Sequence, residues 1–189
     1  MQKTYQSTYI RGDGQVVKID FVDNVSFEIV PCFVYGNFYV YPDTNAGGKW
    51  KFTKPKLEIN EINNFDHECN GNLKNLCRMT RCWKENCNVL ISGFLIDTLA
   101  YNFFKKKRKT NMSNNSLMVS EFFNYLKSQD RGKNYWLAPG SKQKVYRRGM
   151  FEHKALLAYK LSIKAITAEI QGDLHLANSL WKEIYGSKF

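Results

Sequence analysis

The chain opens with short runs rich in β-branched and aromatic residues and then changes to helical spacing. Residues 16–21 (VVKIDF) and 25–33 (VSFEIVPCF) are predicted to pair as an antiparallel hairpin across Val22-Asp23-Asn24. A second pair, 38–41 (FYVY) and 50–53 (WKFT), flanks a loop at Asn45-Ala46-Gly47-Gly48. Beyond residue 53 the apolar positions recur at helical intervals. Thr53 is the expected cap of a helix with Pro55 in its first turn, Leu57, Ile59, Ile62 and Phe65 among its apolar positions, and Gly71 as its stop. Residues 72–86 follow with Leu73, Leu76, Cys77, Thr80 and Trp83 at helical spacing. Ser92 is placed to cap the next helix (FLIDTLAYNFF), and 116–128, 150–171 and 173–185 read as the remaining helices. A small antiparallel sheet followed by a helical body is an α+β arrangement. The division falls at residues 1–53 and 54–189.

Charge changes this picture next. The 189 residues hold 28 Lys and Arg against 17 Asp and Glu, a formal +11, while 43% are apolar and 15% aromatic. The apolar fraction supports a packed core, so the surplus sits on a folded surface and favours anionic partners such as nucleotides, nucleic acid or anionic membrane. The first residues have no apolar run behind their charge, and no stretch approaches the roughly 18 apolar residues of a spanning helix. A cytoplasmic protein without membrane contact is expected. The five cysteines, an odd number without a CxxC pair, read as reduced thiols. Cys77, Cys82 and Cys87 recur every five residues and diverge on a helix, so buried thiols are preferred to a zinc site with His67 and Cys69. The run Lys105-Lys106-Lys107-Arg108-Lys109 reads as a solvated basic cluster.

Candidate chemistry starts at Glu28. On a strand over 25–33, Phe27, Ile29 and Pro31 face one way and Ser26, Glu28 and Val30 the other. A carboxylate amid apolar residues needs a cation, a donor or water. It is either a solvated edge residue or a metal ligand. On residues 72–86, Arg78, Arg81 and Lys84 are spaced to share one side of a helix. That side is either a solvated stripe or an anion contact.

Phe27-Glu28-Ile29-Val30-Pro31-Cys32-Phe33 resembles the third-carboxylate strand of the bacterial cyclic-oligonucleotide synthases, relatives of cyclic GMP-AMP synthase and oligoadenylate synthase among the polymerase-β-like nucleotidyltransferases. Tyr41-Pro42-Asp43-Thr44, Lys54-Pro55, Asn70 to Lys74, Arg78 to Trp83, Ile96 to Tyr101 and Asn178 to Gly186 resemble further segments of that family, in its order. The resemblance covers nearly the whole chain. It implies a partial polymerase-β-like sheet followed by a helical, oligoadenylate-synthase-like domain.

The activity so implied is the Mg²⁺-dependent transfer of a nucleoside monophosphate from a nucleoside triphosphate to a ribose hydroxyl, making cyclic or linear oligonucleotide messengers in anti-phage defence. Two metal ions clamp the reacting oxygens in such displacements. By resemblance, Glu28 is the third metal carboxylate, Arg81 stands where relatives carry a triphosphate-contacting Lys, and Arg78 and Lys84 flank it. Ser92 and Phe94 approximate a phosphate-contacting Ser and a base-stacking aromatic, although Gly93 occupies the Ser position itself.

The first two carboxylates of the family, an acidic pair following a Gly-Ser motif, have no counterpart before Glu28. Asp66-His67-Glu68, Gly140-Ser141 and Gly186-Ser187 imitate parts of the pattern but lie after it. The chain is therefore expected to be the part of such an enzyme that follows the acidic pair, inactive alone, marginally stable, with an unpaired strand edge and a missing N-terminal segment as partner. The competing reading is a non-catalytic basic α+β module that binds nucleotide or RNA. A linear oligoadenylate maker would share the same site.

Overall fold

The structure, a computed structural model, describes residues 8–21, 23–107 and 114–187. It divides into two compact units, residues 1–55 and 56–189.

The first unit holds two three-stranded antiparallel sheets. In one, β1 (Tyr9–Asp13), β2 (Val16–Asp20) and β3 (Ser26–Ile29) lie in sequence order. In the other, β4 (Phe33–Tyr35), β5 (Phe38–Asp43) and β6 (Lys49–Thr53) do the same. The expected strand over 25–33 is thus two strands belonging to different sheets. Pro31 lies in the break, and its lack of an N–H removes a ladder donor. Gly14, in the β1–β2 turn, ties the sheets together: its carbonyl accepts from the backbone N and hydroxyl of Thr44 at 3.2 and 3.0 Å.

Register sorts the residues of the first sheet by face. Lys18 is opposite Glu28 and Arg11, while Asp20 is opposite Ser26 and Tyr9, so these side chains share one face. Ile10, Val17, Ile19, Phe27 and Ile29 share the other, yet of these only Ile19 is buried. The β3 residues are all exposed, as are Phe33, Val34 and Tyr35 of β4. This unit therefore buries little of its apolar side-chain area. Asp43 is its buried acid, paired with Lys51 and accepting from the backbone and side-chain nitrogens of Asn45. The Lys51 hydrogen bond leads in holding its carboxyl below the usual carboxylate range.

The second unit carries the core. It contains α1 (Pro55–Glu68), α2 (Asn72–Asn86), α3 (Gly93–Lys106), α4 (Asn115–Lys127), the hairpin β7 (Tyr135–Leu137) and β8 (Lys144–Tyr146), α5 (Glu152–Gln171) and α6 (Leu174–Tyr185). α3 buries Leu95, Ile96, Thr98, Leu99, Ala100, Tyr101, Phe103 and Phe104, residues on nearly all its sides, and so forms the centre. Trp83 of α2 meets Phe123 of α4 with ring centroids 5.2 Å apart. Each such fully buried large side chain contributes roughly 1.5–3 kcal/mol.

The expected helices agree closely with those observed, with one correction at an end. Thr53 is the last residue of β6 and Lys54 is the residue that precedes α1. Leu57 and Ile59 are exposed on α1, whereas Phe65 is buried. Ser92 caps α3 by accepting from Leu95 N at 3.2 Å, as its position suggests. Asp66 accepts from Lys74 N at 2.9 Å, so the Asp66-His67-Glu68 segment serves the start of α2.

Gly140-Ser141 also has a structural role. Gly140 adopts φ +71° against α1, and a Cβ there would sit 2.3 Å from Leu57 O. Ser141 Oγ donates to Glu58 Oε1 at 2.5 Å. Burial raises the Glu58 carboxyl above its ordinary range, with the Ser141 bond opposing it. Arg147 fastens the base of the β7–β8 hairpin. Its guanidinium lies 5.2 and 5.0 Å from the ring centroids of Trp136 and Phe151, and donates to Lys133 O, Asp130 O and Glu152 Oε1. Of the basic run at 105–109, Arg108 and Lys109 lie outside the described residues. Lys107 pairs with Glu121.

Candidate functional site

Glu28 lies on the polar face of the first sheet. Its register partner Lys18 also forms an ion pair with Asp20 at 3.5 Å, and Ser26 Oγ donates to Asp20 Oδ1 at 2.5 Å. The Ser26 bond is the leading cause holding the Asp20 carboxyl below its ordinary value, aided by Lys18. Asp20 thus shares a face with Glu28, which the linear spacing of the acids did not reveal. A hairpin register brings them together across eight residues of chain. No group of three His, Cys, Asp or Glu side chains among the described residues is arranged to hold a metal. The two further metal carboxylates that the resemblance implies are thus not gathered with Glu28 among the described residues. Of the spaced cysteines, Cys77 is buried, Cys82 exposed and Cys87 half-buried.

The second cluster forms where α2 passes the start of α3. Arg81 Nη2 lies 2.7 Å from both Oδ1 and Oδ2 of Asp97 and 3.3 Å from Gly93 O. The side chains of Arg81 and Asp97 remain 41% and 27% exposed. At that exposure the pair contributes at most about 1 kcal/mol to stability. Its main effect is orientation, because the contacts through Nη2 restrict a guanidinium that still reaches solvent. Burial, followed by Asp97, pushes the Cys77 thiol far up. Cys77 is thus a neutral neighbour of the pair rather than a nucleophile.

The other expected site residues occupy different settings. Arg78 is exposed one turn before Arg81, and Lys84 pairs with Glu85 at 2.6 Å. Ser92 accepts a helix-capping bond, and Phe94, the next residue but one, is 39% exposed rather than core. The geometry gathers Arg81, Gly93, Asp97 and the Ser92 cap into one place. Asp97 is the participant that sequence reading left without a defined role. It stands 16 residues from Arg81, and only the packing of α2 on α3 makes them neighbours.

Comparison with known proteins gives four findings. Residues 1–65 match the Second Messenger Oligonucleotide or Dinucleotide Synthetase domain. The chain is 27% identical over 181 residues to a probable cyclic nucleotide synthase of Bacillus cereus (strain VD146), covering 86% of this chain and 51% of the relative. Its fold is similar to the STING-associated CdnE c-di-GMP synthase from Capnocytophaga granulosa, with a TM-score of 0.65 at 19% identity over 92% of this chain and 60% of that one. It is also similar to the Elizabethkingia meningoseptica CdnE cyclic dinucleotide synthase with GTP and Apcpp, with a TM-score of 0.61 at 11% identity over 86% of this chain and 65% of that one. The chain thus spans about half the length of the curated relative. No helix among the described residues is long and apolar enough to cross a membrane. In sequence over residues 1–65 and in its mixed α+β fold, the chain is similar to the cyclic-oligonucleotide synthases (CD-NTases).

Proposed function

We propose that this chain is the third-carboxylate and helical part of a cytoplasmic nucleotidyltransferase that joins nucleoside triphosphates into cyclic or linear oligonucleotide messengers, in anti-phage defence. The observation that carries this reading is the domain match over residues 1–65, which spans the polar sheet face bearing Glu28. On this proposal residues 1–53 belong to the catalytic sheet and 54–189 form the helical domain. Arg81, oriented by Asp97, grips triphosphate oxygens; Arg78 and Lys84 add positive charge, and Ser92 and Phe94 border the phosphate and base. The GTP and Apcpp in the Elizabethkingia relative support triphosphates as ligands. An arginine fork matches phosphate oxygens in a way that a point charge does not.

Mg²⁺ chemistry requires acids beyond those present on the described sheet face. We assign the two further carboxylates to a segment other than the described residues, acting with this chain. The incomplete acid set also favours a second reading, a basic nucleotide-binding module without catalysis.

Titrating the chain with ATP and GTP tests the ligand. Arg81→Ala is expected to weaken binding about ten- to a hundredfold, the value of one or two charge-assisted bonds. Asp97→Asn should give a smaller loss by loosening Arg81, and Lys164→Ala on exposed α5 surface should give none. Affinity indifferent to Arg81 would remove the site. A second arm supplies the acidic-pair strands of a relative and follows pyrophosphate release, which should fall in Glu28→Gln while nucleotide binding persists. Arg81-dependent binding without any release in the completed protein would leave the module reading standing.

A further inference from the structure

The β7–β8 hairpin presents a surface that the proposed nucleotidyl transfer does not use. From residue 131 to residue 151 the sequence has six cations (Arg131, Lys133, Lys142, Lys144, Arg147 and Arg148) and no acid. Arg147 is turned inward to Glu152, and the other five are exposed. Strand alternation divides the hairpin cleanly. Trp136 and Val145 are buried, while Tyr135, Leu137, Lys144 and Tyr146 face outward.

The outward face has an ordered pattern. Tyr135 is opposite Tyr146 in register, with ring centroids 6.1 Å apart, and Leu137 is opposite Lys144. Lys144 Nζ lies 4.5 Å from the centroid of the Tyr135 ring. Tyr146 is 61% and Tyr135 39% exposed. The Arg147 network fixes the hairpin from below through Asp130 O, Lys133 O and Glu152. These aromatics are therefore held on a short, rigid element instead of a free loop.

We propose that this face docks a single-stranded nucleic acid, with unpaired bases stacking on Tyr135 and Tyr146 and the backbone phosphates met by Arg131, Lys133, Lys142, Lys144 and Arg148. Exposed rings interleaved with cations are the two elements such binding requires: π-faces that accept any base, and a positive field that follows the backbone. A duplex hides its base faces and would use the cations alone. A lipid surface would use the charge and gain little from phenol rings set between lysines. None of these residues is among those assigned to the triphosphate site.

Fluorescence anisotropy of the full chain with a labelled single strand of about a dozen nucleotides tests this, in RNA and DNA form. Binding should show a log–log salt slope between about −2 and −3.5, as expected when three to five phosphates are neutralised. The Tyr135→Ala, Tyr146→Ala double variant should bind at least about tenfold more weakly, and Tyr146→Phe should bind like the parent. Lys144→Glu with Arg148→Glu should lower affinity and flatten the salt slope. Far-UV circular dichroism confirms that each variant is folded. Affinity within about twofold of the parent for the double tyrosine variant overturns the proposal. So does equal or tighter binding to the blunt duplex, or to vesicles of equal parts phosphatidylserine and phosphatidylcholine.

Discussion

Arg147→Ala is expected to cost about 3–5 kcal/mol of stability in the helical unit, a large share of the roughly 5–15 kcal/mol by which domains are stable. The side chains of Arg147 and Glu152 are 8% and 1% exposed, and Nη1 lies 2.6 Å from Glu152 Oε1. Removing the arginine leaves a carboxylate in the interior with the Phe151 N–H, at 3.1 Å, as its remaining donor among the described residues. It also removes the cation packed against the rings of Trp136 and Phe151 and the donors to Asp130 O and Lys133 O. Urea unfolding monitored by circular dichroism measures the loss. The double variant Arg147→Met, Glu152→Leu should recover part of it, because no unpaired charge then remains. A single-variant loss below about 1 kcal/mol would mean that water reaches Glu152 and that the pair behaves like a surface bridge.

Gly140→Ala is the second large effect, at about 2–5 kcal/mol. The left-handed φ of +71° costs a side chain about 1–2 kcal/mol. The new Cβ would also lie 2.3 Å from Leu57 O and 2.7 Å from Leu57 C, so the 138–142 turn must withdraw from α1, adding about 1–3 kcal/mol. Gly172→Ala is an internal control. Its φ is +82°, but nothing lies within 4 Å of the added methyl, so it should incur the conformational cost alone. Equal losses at the two positions would show that the turn yields freely. Hydrogen exchange should locate the difference, with faster exchange in the first half of α1 when the Ser141–Glu58 bond is broken.

These two positions also show what the sequence made legible and what it did not. The helices were readable because each buries a stripe at helical spacing and several carry local signals, such as Ser92 as a cap and Gly71 between α1 and α2. The strands were harder. β1 (Tyr9–Asp13) is mostly polar and exposed, and β7 and β8 have three residues each, too few for alternation to show. Pro31 was visible in the sequence, but the division of 25–33 between two sheets depends on partners elsewhere. Gly140-Ser141 matched two letters of a catalytic motif, and only the proximity of Leu57 and Glu58 explains its presence. For the candidate site, Arg81 was picked out by resemblance and helix spacing. Its partner Asp97 was not, because α2 and α3 must pack before the two meet.

The uneven exposure of the cysteines provides a means of measurement. Cys32 is exposed in the first unit and Cys82 in the second, whereas Cys69 and Cys77 are buried. Burial is the leading cause that raises the thiols of Cys77 and Cys87, which slows their conversion to reactive thiolate. Maleimide at neutral pH should therefore modify Cys32 and Cys82 first, with Cys87 lagging and the buried pair reacting only after unfolding. Mass spectrometry of the native and denatured protein checks that order. The unmutated chain then carries one spectroscopic label on each unit, and the distance between the labels, read with and without triphosphate, reports any rearrangement of the sheet unit relative to the helices.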